Sequence, residues 1–159
     1  MSLSSQLLVE LRGIAGQAGQ SISVSDGGRV VRCEATQCDA LAVTLEDLVL
    51  ETAELAGATV AQLQAASQNL ASRVNYLLEP IAPVETDATG CSVQMRSNPP
   101  QRDDNGFRYY ELLLRRGGSV ELARYEKHAG QSRVCVPAVL THEVVGRLID
   151  DFSTTIDSL

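Results

Sequence analysis

The stretch that decides the fold is Thr59-Val60-Ala61-Gln62-Leu63-Gln64-Ala65-Ala66-Ser67-Gln68-Asn69-Leu70-Ala71-Ser72-Arg73-Val74-Asn75-Tyr76-Leu77. Val60, Leu63, Ser67, Leu70, Val74, Leu77 and Ile81 follow one another at steps of three and four, and six of these seven are apolar. That spacing lines one face of a helix and predicts a rod over 59–79, closed by Pro80 and Pro83. No charged residue falls between Glu54 and Arg73. The flank beside the stripe is Ala61, Gln62, Gln64, Ala65, Ala66, Gln68, Asn69 and Ala71. Ala and Gln are good helix formers, which is the plain reading of that composition. The other reading is that the flank is covered, because solvent faces of helices usually carry charge. On it, Val60, Leu63, Leu70, Val74 and Leu77 are the candidate interface.

Upstream, Leu3, Leu7, Leu8, Leu11, Ile14 and Ala18 recur at helical intervals and predict an amphipathic helix over 3–18, weakened by Gly13 and Gly16. Asp26-Gly27 between two alternating, β-branched runs (21–25 and 29–36) is a hairpin signal, since the turn needs positive φ at its centre. A third strand is expected over 40–44. Beyond Thr44 the pattern divides: Leu41, Val43 and Leu45 alternate, whereas Leu45, Leu48, Thr52 and Leu55 step as on a helix. We read a strand to Thr44 and a short helix after it, ended by Gly57.

Downstream, runs at 84–96, 107–114, 119–127 and 133–136 form a four-stranded antiparallel meander, with a polar, mobile loop over 98–106. Thr141 caps a last helix carrying Val144, Val145, Leu148, Ile149 and Phe152, which frays after Thr155. The expected order is α-β-β-β-α-α-β-β-β-β-α. That is an α+β fold of antiparallel meanders packed against helices, with residues 1–159 as one domain.

The chain has 159 residues with 13 Lys+Arg against 20 Asp+Glu, a net charge of −7. This balance argues against nucleic acid or an anionic membrane as partner, because phosphate neutralisation wants a basic face. No apolar run reaches the 18 or more residues of a membrane span, and no signal peptide is expected, because Met1-Ser2-Leu3-Ser4-Ser5-Gln6 lacks a basic leading region. A cytoplasmic location with reduced thiols is expected. Cys33, Cys38, Cys91 and Cys135 each suit core packing. Only Cys33 and Cys38 approach metal-ligand spacing, so no metal site is expected.

His142-Glu143 opens a zinc-protease pattern, but Gly146 stands where the second histidine belongs. His142 is expected near the helix start or in solvent, and His128 in a turn. Lys127 is the only lysine, and neither a phosphate-binding glycine loop nor a serine elbow occurs. No catalytic residue and no cofactor are expected, although a Cys–His pair brought together by the fold stays open. Charge is uneven. Residues 1–80 hold four arginines against nine acids, and residues 96–133 hold eight basic residues against five acids. Strand alternation would gather Arg108, Arg116 and Arg124, with Tyr110 and Tyr125, as a candidate basic surface.

The helix around Leu7, Leu8 and Leu11, the hairpin at Asp26-Gly27 and the helix over 59–79, within an order α-β-β-β-α-β-β-α to which the further C-terminal strands and the helix after Thr44 are additions, resemble the architecture of type III secretion chaperones. The resemblance implies a dimer that binds an extended partner segment without catalysis. The expected function is therefore a non-catalytic protein-interaction module, chaperone- or adaptor-like, with a homodimer and a protein or peptide as partners. The alternative is a small-ligand-binding protein or enzyme that uses Arg108, Arg116 and Arg124.

Overall fold

The computed structural model describes residues 1–159. Its first helix, α1, runs Leu3–Gly13, with the Ser2 hydroxyl accepting from Ser5 N–H at 3.2 Å. It stops five residues short of the expected 18, because the chain turns at Gly16 with φ +86°. Strands β1 (Ala18–Asp26) and β2 (Arg29–Cys38) form the predicted hairpin. Its two central residues, Gly27 and Gly28, have φ +57° and +83°, a conformation glycine adopts without penalty.

The short helix expected after Thr44 is absent as such. Strand β3 runs unbroken over Ala42–Thr52, and only a single 3₁₀ turn, Ala53–Leu55, follows. The physical reason is a β-bulge. Leu45 pairs with Ala35 and Leu48 with Cys33, so Glu46 and Asp47 together oppose one residue of β2. The bulge makes the step between the buried Leu45 and Leu48 three residues instead of two, which mimics a helical interval.

Helix α2 spans Val60–Arg73 and opens with a capping box, in which Thr59 and Gln62 exchange side-chain and backbone hydrogen bonds. It is shorter than the expected 59–79. Val74 takes up a non-helical backbone, and Leu78 has φ +65°. Leu63, Leu70, Val74 and Leu77 are nevertheless all buried, the last two from extended chain. The run expected as one strand over 84–96 folds back on itself as β4 (Ile81–Asp87) and β5 (Ser92–Ser97). The Asp87 carboxylate accepts from the N–H groups of Thr89 and Gly90 in the turn between them. The loop over 98–106 contains a short strand, β6 (Gln101–Asp103), paired with β7 (Gly106–Arg115). A side chain at Gly106 would place its Cβ 2.1 Å from the Lys127 carbonyl, so only glycine fits there.

Strands β8 (Ser119–His128), β9 (Val134–Val136) and β10 (Ala138–Thr141) lead into α3 (His142–Asp157), which the Thr141 hydroxyl caps. The helix does not fray after Thr155. Ile156 is buried, and Arg29 holds the Asp157 carboxylate at 2.5 Å and the Ser153 carbonyl at 3.3 Å.

All pairings are antiparallel, and the sheet runs β1-β2-β3-β8-β7-β5-β4. The three helices cover one face, and a single core of 36 buried residues runs beneath them. The architecture is the expected α+β one in the expected order, with the first of the two middle helices reduced to one turn. No helix is long and apolar enough to cross a membrane.

One irregularity of the sheet positions the site. β8 pairs with β3 only over Asp47–Glu51. Past the bulge the two strands part: β3 continues against β10 over Ala42–Leu45, and β8 against β9 over Arg124–Glu126. The chain runs down one arm of this fork and up the other, turning at Pro137.

Candidate binding cleft at the fork of the sheet

Beyond the end of α2, the helix-covered face of β7 and β8 is bare of helix. Strand alternation puts Arg108, Tyr110, Arg124 and Glu126 on that face, with Tyr110 opposite Arg124 and Arg108 opposite Glu126. Three loops rise around them, carrying Pro80, Pro99 and Pro100, and Pro137. The result is a cleft of about 600 Å³, within the range of ligand sites. Leu78 and Val139 line it and are 98% and 67% exposed, which is unusual for large aliphatic side chains.

Arg124 is the centre of the floor. Its guanidinium lies 4.3 Å from the Tyr110 ring centroid, donates to Glu79 at 3.0 Å and to Gln101 at 2.8 Å, and is only 10% exposed. A buried charge pair of this kind needs its remaining lone pairs satisfied. Here Glu79 Oε1 has no hydrogen-bond partner. Burial pushes the Tyr110 phenol above its ordinary range. Arg108 is different: its side chain is 48% exposed, and its one carboxylate partner, Glu126 at 3.5 Å, is also held by His128 at 3.0 Å.

The expected triad of arginines does not converge. Arg108 and Arg124 share the cleft, but Arg116 lies past the far end of β7, where its Nε donates to the Ala58 carbonyl at 2.8 Å. Nor does Tyr125 join Tyr110, because consecutive strand positions face opposite ways. Tyr125 stacks with Tyr109 on the open face at 6.0 Å, and Phe107 lies 6.0 Å from Tyr109. Each ring there carries a guanidinium: Arg102 on Phe107, Arg96 on Tyr109, and Arg133 on Tyr125 at 3.9 Å. Arg133 also holds Glu111 at 2.7 Å, and Gln94 donates to the same carboxylate. The local excess of arginine is thus largely consumed by this ladder. Its alternation and the antiparallel pairing of β7 with β8 were legible in the sequence, but the register that sets these rings and guanidinium groups opposite one another was not.

The candidate interface residues are likewise spent within the chain. Leu63, Leu70, Val74 and Leu77 are buried under α2 and beyond it, and Val60 is half-buried against the same core. α2 leaves in solvent the neutral residues Ala61, Gln62, Gln64, Ala65 and Gln68, with Ser72 and the charged Arg73 in its last turn, whereas Ala66 of the expected flank is buried.

A second cavity, of about 310 Å³, lies by the cross-strand row Ala18, Gln37, Thr44 and Val139, and has only Val139 in common with the first. Asp39 stands on its rim, its Oδ1 accepting from the N–H groups of Leu41 and Ala42, both at 2.8 Å. These two bonds hold its carboxyl below the usual carboxylate range. Cys38 lies beside it with Sγ 3.5 Å from His142 Nε2, so the fold does form a Cys–His contact, and His142 is buried at the start of α3 and not in solvent. A nucleophilic pair needs a lowered thiol pKa. Burial, helped by Asp39, pushes Cys38 up, and its thiol donates to the Leu11 carbonyl at 3.3 Å. Burial also raises Cys33, to about 12. These groups are packed thiols. Set against known protein families, characterised proteins and solved structures, the chain matches none.

Proposed function

We propose that this chain is a non-catalytic protein-interaction module, chaperone- or adaptor-like, whose working surface is the cleft at the fork. The observation that carries the reading is the pairing of solvent-bared Leu78 and Val139 with a floor of stacked Tyr110 and Arg124. Apolar rims around a few fixed polar groups are the usual make-up of recognition sites. The resemblance of its element order to type III secretion chaperones, read from the sequence, belongs to the same proposal. A benzophenone side chain placed at position 78 or 139 tests it by photocrosslinking in cells. The expected result is one discrete protein adduct, absent when the probe sits at Val9 or Val84, which are similarly apolar and exposed. Equal labelling at all four positions counts against the cleft.

A homodimer belongs to this proposal. Its support is the charge-free flank of α2, which a second copy would cover without stranding any charge. Sedimentation of a clean monomer at about tens of micromolar removes the dimer and leaves the cleft. A cytoplasmic location is part of the same reading, since four unpaired thiols suit a reducing compartment.

The second reading is a small-anion site, favoured by Arg108 and Arg124 lining one cleft. On that reading inorganic phosphate or citrate shifts the amide resonances of Arg108, Tyr110 and Arg124 saturably. No shift at millimolar concentration removes it.

A further inference from the structure

The sheet face turned away from the helices is covered by no other element. Alternation puts Val49, Leu113, Ala123, Tyr109 and Tyr125 at its centre, on β3, β7 and β8. Val49, Leu113 and Tyr125 are half-buried, an apolar patch within a field of charge. Three ion pairs close within this face: Arg32 with Glu51, Arg115 with Glu121, and Arg133 with Glu111. The charges left over are sorted by sign. On the side of β2 and β3 stand Glu34, Glu46 and Asp47, and on the side of β5, β6 and the end of β8 stand Arg96, Arg102 and Lys127. None of the six takes part in an ion pair. Glu85 lies beyond this field, on the edge strand β4. Stacking of Arg96 on Tyr109 and of Arg102 on Phe107 orients the guanidinium groups without cancelling their charge. Burial first, and then the neighbouring Glu121, Glu34 and Glu46, push the Asp47 carboxyl above its ordinary range, so the acidic side lacks a cation.

Such a surface is complementary to itself. A second copy, turned over about a two-fold axis above β8, lays its cationic side on the acidic side of the first and brings the apolar centres together. An acidic or a basic partner would neutralise one half and be repelled by the other. The five strands from β2 to β5, spaced about 4.8 Å apart and about 27 Å long between the Glu51 and Phe107 levels, make a face of about 650 Å². That is on the scale of the about 800 Å² per partner of stable interfaces. Tyrosine and arginine at the centre with charge around them is the usual anatomy of such contacts. The flank of α2, in contrast, carries no charge between Glu54 and Arg73 to set which way round a second copy sits.

From this we infer that two copies of the chain meet through their uncovered sheet faces, with the Glu34, Glu46 and Asp47 side of each on the Arg96, Arg102 and Lys127 side of the other. The inference rests on the homodimer of the proposed function and moves its contact from α2 to the sheet. The cleft stays open in this dimer, because Arg108, Tyr110 and Arg124 lie on the opposite face. Opposed charges fix the orientation of the two copies and exclude wrong partners more than they add raw affinity.

Sedimentation equilibrium of the whole chain and of two charge-reversed variants tests it. Glu34→Lys with Glu46→Lys reverses the acidic side, and Arg102→Glu with Lys127→Glu reverses the basic side. These four positions are exposed or half-exposed and in no ion pair, so the fold is kept, which far-UV circular dichroism checks. Each variant alone should have a dimer Kd raised about tenfold or more, because like charge then meets like. An equimolar mixture of the two should form a heterodimer at about the parent Kd, because both contacts are again opposed. Gln64→Lys with Gln68→Lys on α2 should leave the parent dimer unchanged. Variants that dimerise as the parent does, a mixture that stays monomeric, or a dimer dissolved by the α2 changes each overturn the inference and leave the homodimer standing. A parent chain that is monomeric at about tens of micromolar overturns both.

Discussion

The β7–β8 hairpin is tied shut at one end and open at the other. At the closed end, Gly118 N–H donates to Arg115, the Gly118 carbonyl accepts from Thr52, Arg116 N–H donates to Cys91, and the Arg116 side chain reaches Ala58. A smaller depression of about 420 Å³ lies beside this turn, lined by Gly117, Gly118 and Ser119. At the open end the neighbouring segments are proline-rich and, although β6 and β9 pair with the strands, leave a larger cavity of about 600 Å³. There Arg124 is paired but Glu79 Oε1 is not, and Arg108 is half in solvent. The same residue type therefore serves two purposes in one hairpin. An arginine that a loop carbonyl can reach becomes a tie, and one that it cannot reach remains available to a guest.

The comparison can be broken most severely at the floor of the open end. Arg124→Ala leaves a buried carboxylate without its cation and should cost about 3 kcal/mol or more, read as the loss in urea-unfolding free energy. Arg124→Met with Glu79→Leu should recover most of that, because two apolar groups strand no charge. At the closed end, Gly118→Ala should cost about 1–3 kcal/mol, because its φ is +114° and the new Cβ meets the Thr52 carbonyl at 3.0 Å. Arg116→Met should cost about 1 kcal/mol and leave crosslinking from position 78 unchanged. An equal loss of crosslinking would erase the distinction between the ends.

Arg108→Gln sharpens the contrast, since an exposed, loosely paired side chain should move stability by no more than about 0.5 kcal/mol while crosslinking from position 78 weakens. The smallest expected effect is at the acid limb. Asp39 and Glu54 have folded-state pKa values below their ordinary ones, the first through backbone N–H groups and the second chiefly through Arg29. Their stabilisation is complete above the ordinary carboxylate range and is lost as pH falls through the lowered folded values. Urea midpoints measured from neutral pH down to about 3 should therefore fall less steeply for Asp39→Asn than for the parent chain.

Local signals decided much of this fold. The capping residues Thr59 and Thr141, the hairpin at Gly27-Gly28 and the α2 stripe were all readable, because each depends on neighbours within a few positions. β3 misled because a bulge converts a two-residue step into three, and a bulge is defined by its partner strand. The fork follows from that bulge and from pairings between residues about 70 to 100 positions apart, so no window of sequence contains it. The shared face of Arg108 and Arg124 follows from alternation across one hairpin. Arg116 has the same parity as Arg108 but lies beyond Arg115, the last residue of β7, where alternation no longer places a side chain. The convergence of Pro80, Pro99 and Pro137 on one cleft was hidden for the same non-local reason.

Backbone amide hydrogen exchange, with and without the saturating partner protein captured by crosslinking from position 78, is the most direct test that the open end is the working end. The account predicts slowed exchange over residues 77–79, 101–110 and 124–139, with residues 115–120 at the closed end unchanged. Protection confined to the neutral flank of α2, or to the closed end, would contradict it.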